Sequence, residues 1–440
     1  MTQRFAVLLT TAGAVILMQQ QLLLRRAPRL LSVHPQQIHA GSAGLDLRFS
    51  RPMQRSSIAT SSEITPNRNH QWLGEGSRLR LVINAGAIVT TPLQLKLAGR
   101  DQRNKALTPQ SWWWDPRPWL LITRELKNGN QVQLQSRSGT WVPLTPVWHR
   151  IEQMVPFGNG RGIALVSSTD DGTEQIWSTK LVPSTIGKRA DDLHPPSSGP
   201  LTPLRKGAVQ FGHLSSNLSG DLLVQTGGFQ PGSERVDLIQ ANGKRRTLAL
   251  KSSGPVQLLP AGGGLIQPVF DGLTLRPLLD NGQPAQILPG SRELGAFCAA
   301  SGRAVLIRHW PDYRRSIELV SPGLAPQQLH LGEQAVLAVT CDGRGERIWA
   351  VLGQWQDRKG KHELVLFNRD GRMLKRQPLS PWSVKAGTPL QWNASENQLL
   401  MTLTKPELTS GRAGLMGADS MQWIKILDEP IREAQWLPSG

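Results

Sequence analysis

An all-β fold is what this 440-residue sequence predicts, on three observations. Residues 33–107 show period-2 alternation and no helical period. From residue 118 onward the turn dipeptides Asn-Gly and Asp-Gly recur eight times, with apolar runs on either side. Over the same region a loose phrase returns every 40 to 60 residues: a turn rich in Ser, Asn, Asp and Gly, then an aliphatic strand. Short strands repeated at that interval imply the blades of a β-propeller. The expected architecture is an N-terminal signal-anchor helix, a small β-sandwich, and a propeller of about seven blades closed by the C-terminal strand.

The chain opens with Arg4, a largely apolar run over residues 5–18, a Gln-interrupted Leu22 to Leu24, and the basic pair Arg25 and Arg26. Fourteen apolar residues match the apolar core of a signal peptide, and extension to Leu24 reaches a membrane-spanning length of roughly 20. No small-residue cleavage site follows. Residues 1–28 are therefore expected to be a signal peptide or signal-anchor, with membrane contact through residues 4–24. The favoured location is periplasmic or extracytoplasmic, tethered to the inner membrane, with a cleaved soluble form as second choice.

Residues 33–107 supply the sandwich. Leu45, Leu47 and Phe49, then Leu79, Leu81 and Ile83, then Leu93, Leu95 and Leu97 alternate with polar residues. Such alternation places one face of each strand in a core. The stretch LDLRFSRPMQRSSI, with Phe49, Ser50, Pro52 and Met53, resembles the F-S-x-P-[MV] phrase of the bacterial Ig-like domain. GRDQRNKAL, with Asp101 and Asn104, is similar to that family's D-x-x-G-N closing phrase, although Arg103 replaces the Gly. The resemblance implies a spacer or adhesive module of envelope proteins, and these residues are expected to be structural.

Residues 108–118 hold SWWWDPRPW, whose Trp112, Trp113, Trp114 and Trp119 come from a total of 15 tryptophans. Pro116 and Pro118 fix φ and bias their neighbours to extended backbone. The cluster is read as a rigid joint that buries aromatic rings against both domains, in preference to a sugar platform or a membrane contact.

Residues 119–440 form the propeller. Markers in the recurring phrase fall at Phe157, Ser215, Leu259, Cys298, Thr340, Asn393 and Leu437. The last phrase, QWLPSG, opens a blade without completing it, and the strands after Pro118 lack an opening phrase. The C-terminal strand is expected to complete the first blade, giving seven, with six or eight as alternatives. The phrase is similar to the repeats of TolB-like propellers of periplasmic proteins, a family related to WD40-like repeats. Two stretches look like surface excursions, residues 181–203 and 405–420, and such loops are where binding resides.

No catalytic constellation appears. The nine histidines never take metal-pair spacing, no G-x-S-x-G elbow is present, and Asp170, Asp171, Asp191 and Asp192 sit in polar turns. No cofactor or metal is expected. Cys298 and Cys341 lack metal-ligand partners and are read as separate buried thiols in preference to a disulfide. A net charge of +18 biases the surface toward anionic partners. Residues 25–105 hold 13 Lys/Arg against four acids, yet no nucleic-acid motif accompanies them.

These observations favour a monomeric, non-catalytic binding or scaffold protein that engages a cell-envelope protein or anionic polymer. The alternatives are a polysaccharide hydrolase or lyase with its site in the propeller channel, and a polyanion binder acting through the basic first domain.

Overall fold

The computed structural model describes Met18 and residues 26–36, 41–84, 86–230, 232–278, 284–356 and 359–439. Apart from Met18 and residues 26–28, the expected anchor lies outside them. No helix among the described residues is long and apolar enough to cross a membrane.

The first quarter of the chain folds into β1 (Leu30–Gln36), β2 (Gly41–Phe49), β3 (Glu63–Thr65), β4 (His70–Glu75), β5 (Arg78–Asn84), β6 (Leu93–Leu97) and β7 (Gln110–Trp114). One sheet runs in the order β1-β2-β5-β4; the other contains β3-β6-β7. The alternating residues Leu45, Leu47, Phe49, Leu79, Leu81, Ile83, Leu93, Leu95 and Leu97 all enter one shared core. Each strand therefore turns one side inward, as period-2 patterning demands. The sandwich extends beyond the expected 33–107: it begins at Leu30 and runs through Trp114. Residues 110–114 are a paired strand, not part of a linker, because β6 offers its free edge to them over five residues.

Seven further antiparallel sheets follow in chain order among the described residues. The first combines β8 (Trp119–Leu126), Gly129–Gln135 and Trp141–Pro143 with the C-terminal strand Ile431–Leu437. That last strand pairs antiparallel with β8 from Ile431↔Arg124 to Leu437↔Trp119. The remaining sheets begin with Arg150–Pro156, Phe211–Ser216, Gln257–Leu258, Arg292–Cys298, Ala335–Cys341, and Ser383–Val384 together with Gln391–Asn393. Each residue of the recurring phrase used as a marker lies within one residue of the end of such a first strand. The phrase is thus the turn from first to second strand, repeated sheet after sheet.

The middle strands are buried on both faces, which explains their unbroken aliphatic runs. Gly162–Ser168 and Leu222–Gly227 are examples. β8 shows how one strand serves two neighbours. Leu120 and Ile122 enter a core shared with Leu400, Ala413 and Ile431, while Trp119 and Leu121 enter another with Met154, Ile163 and Leu165. Cores of this kind lie between all successive sheets, including the last and the first. Sheets packed face to face around a closed circuit form a β-propeller. The thinnest seam among the described residues is between the fourth and fifth sheets, where the buried residues are Ile266, Leu273 and Leu306.

Of the eight turn dipeptides, the seven within the described residues all join paired strands. Gly129 and Gly272 show why glycine is required: a Cβ there would stand 2.0 Å from the Trp148 carbonyl oxygen and 2.1 Å from that of Leu288.

Two expectations are corrected. Cys298 and Cys341 are not separate thiols but a disulfide, with Cα atoms 5.7 Å apart. They occupy corresponding ends of two neighbouring first strands, Arg292–Cys298 and Ala335–Cys341, which approach closely where Gly295 faces Val339. Neither sequence neighbourhood reveals that the ring brings the two ends together. The 405–420 stretch is no excursion either, since Arg412–Gly417 is the third strand of the last sheet. Its Gly and Ser residues had masked a regular strand.

Candidate functional site

The tryptophan cluster divides between two cores. Trp112 and Trp114, two apart on β7, both point into the sandwich, opposite Leu95 and Leu93. Trp113 lies on the other face, half-buried. Trp119 is buried between the first two propeller sheets, with the Arg137 guanidinium 4.0 Å from its ring centroid. The expected joint of residues 108–118 shrinks to residues 115–118.

That short joint is fixed by charge. Asp115 is buried and accepts from Arg117 Nη2 at 2.8 Å and Arg137 Nε at 3.0 Å. Burial pushes its carboxyl up; the hydrogen bonds and charges of Arg117 and Arg137 outweigh that and hold it below the usual carboxylate range. Arg117 also donates to the Thr90 carbonyl of the sandwich at 2.7 Å, and Arg137 to the Pro118 carbonyl at 2.8 Å. Val89 N–H donates to the Ser395 carbonyl of the propeller at 2.7 Å, and Ser439 Oγ donates to the Pro116 carbonyl at 2.9 Å. The Asp-Pro-Arg at the centre of the cluster was visible in the sequence as charge amid apolar residues. Arg137, in an ordinary hairpin turn, gave no signal.

A strap from the propeller completes the contact. Residues 181–203, expected as a binding excursion, pack instead on the protein itself. Within them, Ile186–Gly187 pairs antiparallel with β7, Ile186↔Trp114 and Gly187↔Trp113. Thr185 supplies its carbonyl to Asp115 N–H at 2.9 Å. A two-residue strand that follows the third strand of the second propeller sheet thus becomes an edge strand of the sandwich.

The residues of the two phrases around Phe49 and Asp101 gather at the far pole of the sandwich. Phe49 and Met53 are buried in its core. Met53 bridges Asp101, and the Pro52 carbonyl accepts from Gln102 N–H at 3.1 Å. Asp101 is buried and accepts from the backbone of Arg103 and Lys105, at 2.9 and 2.8 Å. Asn104 takes φ 61°, a left-handed conformation that Asn tolerates. Ser50 exchanges hydrogen bonds with the Arg29 backbone, at 2.9 and 3.0 Å. The chain therefore enters the sandwich at this pole, while Gln36 and Gly44 at the opposite end of β1 and β2 face the propeller.

The sandwich covers one face of the ring, the face on which the first strands end at Cys298, Cys341, Asn393 and Leu437. These strands line the channel and expose a free backbone edge, which side chains stitch to their neighbours. Gln391 accepts from Trp436 N–H at 2.8 Å, and Glu433 from Met154 N–H at 2.8 Å. Gln153 accepts from Leu214 N–H at 2.9 Å and donates back to its carbonyl at 3.1 Å. Ser215 Oγ accepts from Leu258 N–H at 2.9 Å. A primary amide carries both a donor and an acceptor, so Gln can stand in for a ladder partner.

The opposite, uncovered end carries a collar of charges. Arg150 and Arg432 bind Glu152 at 2.8 and 3.1 Å, and Lys385 lies 4.0 Å from Glu125. Burial pushes the Glu433 carboxyl up to about 7, against the pull of Gln435, Met154 N–H, Arg432 and Lys385. Burial lowers Lys385, and lowers His213, further along the channel wall, to about 4. Among the described residues no three His, Cys, Asp or Glu side chains group as metal ligands.

Also at this end, the turns joining the second and third strands of three successive sheets each raise an aromatic ring. Phe229 is 68% exposed, Phe270 fully exposed, and Tyr313, the sole tyrosine of the chain, 85% exposed. Scattered over 85 residues of sequence, they gave no pattern before the ring aligned their turns.

No family model and no curated protein matches the sequence. Solved structures similar to the chain include TolB from Acinetobacter baumannii, at 12% identity over 88% of this chain and 86% of that one, TM-score 0.40. The periplasmic gluconolactonase of Pseudomonas aeruginosa is 15% identical over 73% of this chain and 99% of that one, TM-score 0.47. A putative 6-phosphogluconolactonase from Bacteroides fragilis is 13% identical over 73% and 98%, TM-score 0.45.

Proposed function

We propose that this is a non-catalytic, exported and membrane-tethered binding protein that presents the uncovered face of a seven-bladed propeller to a cell-envelope protein. The observation that carries the reading is the polarity of the molecule. The chain enters at one pole, the sandwich occupies one propeller face, and the aromatic turns of Phe229, Phe270 and Tyr313 stand at the other. Exposed aromatics on a rigid scaffold are the residue types that anchor protein interfaces.

The sandwich fits an immunoglobulin-like spacer. Its orders β1-β2-β5-β4 and β3-β6-β7 correspond to the ABED and CFG sheets of the constant-type topology. The Cys298–Cys341 bond supports an oxidising compartment, in keeping with residues 1–28 as an export signal or anchor.

Cross-linking of the detergent-solubilised full-length protein in envelope extracts tests the proposal. A discrete protein adduct is expected, lost on the triple change Phe229→Ser, Phe270→Ser, Tyr313→Ser while the unfolding midpoint is retained. Turnover of an anionic glycan, abolished by Glu433→Gln, would instead establish the polysaccharide-acting enzyme: a carboxyl held near 7 is what a general acid requires.

A further inference from the structure

The sandwich does not seal against the propeller. Between them lies a chamber of about 690 Å³ at the covered end of the channel, walled by both modules. Its size falls within the range of small-ligand sites. Trp114 of the sandwich and Trp392 and Trp436 of the propeller contribute to its wall, interleaved with Gln391, Arg344 and Arg347.

The hydrogen-bonding inventory of this wall is unbalanced. The indole N–H groups of Trp114 and Trp436 are buried without a partner. The Arg344 side chain is exposed and forms no ion pair or hydrogen bond among the described residues, only its carbonyl being used, by Arg303 at 2.8 Å. The acidic groups nearby are already engaged. Asp342 accepts from Glu346 N–H at 2.9 Å and pairs with Arg347 at 3.4 Å. Glu346 is held by Arg303 and Arg369 at 3.3 and 3.2 Å. The two indole N–H groups are sealed by packing and lie beyond an occupant's reach; what remains uncommitted is one cation, so an anionic occupant is favoured.

We propose that this chamber binds a short acidic oligosaccharide, a function distinct from protein capture at the opposite face. A pyranose ring offers an apolar C–H face for the part-exposed indoles of Trp392 and Trp436 and a rim of oxygens for the Gln391 amide. One carboxylate suits the one uncommitted guanidinium, whereas the several charges of a nucleotide phosphate chain would require more cations than the wall leaves free. Because Pro35, Gln36 and Gly44 of the sandwich form one side of the wall, the site exists only while the two modules are docked.

Titration calorimetry of the full-length protein in detergent, with tri-galacturonic acid as probe, checks the assignment. Saturable binding is expected, with quenching of tryptophan fluorescence. Arg344→Gln, at an exposed and structurally uncommitted position, should weaken it at least tenfold, and Trp392→Leu should reduce the quenching. Maltotriose, its neutral counterpart, should bind at least tenfold more weakly than the acid. Absence of saturable heat, equal affinity for the neutral trisaccharide, or unchanged affinity in Arg344→Gln would overturn the proposal. None of these outcomes bears on the aromatic face, so failure here leaves the protein-binding reading to its own test.

Discussion

Asp115 and Glu433 are both carboxylates withdrawn from bulk water, and their surroundings push them in opposite directions. Two arginines hold Asp115 ionised, as a buried charge requires. Glu433 has only a backbone N–H and an amide close at hand, with Arg432 and Lys385 contributing charge from further off, and burial prevails at about 7. The native state therefore binds a proton that the unfolded chain, with a Glu value near 4.5, has already released. Its contribution to stability is complete below about pH 4.5 and is lost as pH rises toward 7. Glu433→Gln keeps the acceptor for Met154 N–H and removes the charge. The variant should match the parent near pH 4 and exceed it at pH 8 by about 3 kcal/mol in urea unfolding. A variant less stable at pH 8 would show that the ionised form is the stabilising one. His213, lowered to about 4 by burial, acts in the reverse sense: its contribution is present above about 6.5 and lost as pH falls toward 4. Comparing variant with parent cancels it, since both retain His213.

The elements differ in how plainly the sequence declares them. Strands that bury one face, such as β2 and β5, are legible because alternation is a local property. So is the hairpin at Asn128-Gly129, where the dipeptide states the turn. β7 was not legible: three adjacent tryptophans between prolines look like a linker until β6 is seen to lack a partner at that edge. The strap Ile186–Gly187 was hidden for the same reason. Two residues of strand have no periodicity, and their pairing with Trp113 and Trp114 depends on a contact about seventy residues away in sequence. This strap joins backbone of the propeller directly to backbone of the sandwich, so it governs how firmly the modules are oriented. Gly187→Pro removes a donor from the pairing, since the Thr185–Asp115 bond puts Gly187 and not Ile186 in the next hydrogen-bonded position, and should cost the docking about 1–3 kcal/mol. Solution scattering should then report a larger radius of gyration with the urea midpoint of the propeller unchanged. An unaltered scattering profile would assign the orientation to the Asp115, Arg117 and Arg137 cluster alone.

At the scale of the whole molecule, the repeat was readable because the recurring phrase marks a structural event, the turn at the end of each first strand. The site was not readable, because the channel collar, the chamber and the aromatic face each collect residues that only ring closure makes neighbours. Arg150 and Arg432 share Glu152 across 280 positions of sequence. Closure itself rests on Ile431–Leu437. This strand gives β8 its ladder partner, places Ile431 and Ala434 in the core of the closing seam, and places Leu437 in the next. It also carries Glu433 and Gln435, which bind Met154 of the following sheet. Removal of residues 431–440 should therefore affect both seams of the first sheet at once and leave β8 as an open edge prone to intermolecular pairing. The truncated chain is expected to unfold in more than one step, and the amides of Leu121 and Thr123 should lose their hydrogen-exchange protection while those of Val351 and Leu366, two sheets away around the ring, keep most of theirs. If Leu121 and Thr123 remained as protected as in the full chain, the ring would have a second means of closure, and the C-terminal strand would be an appendage to it.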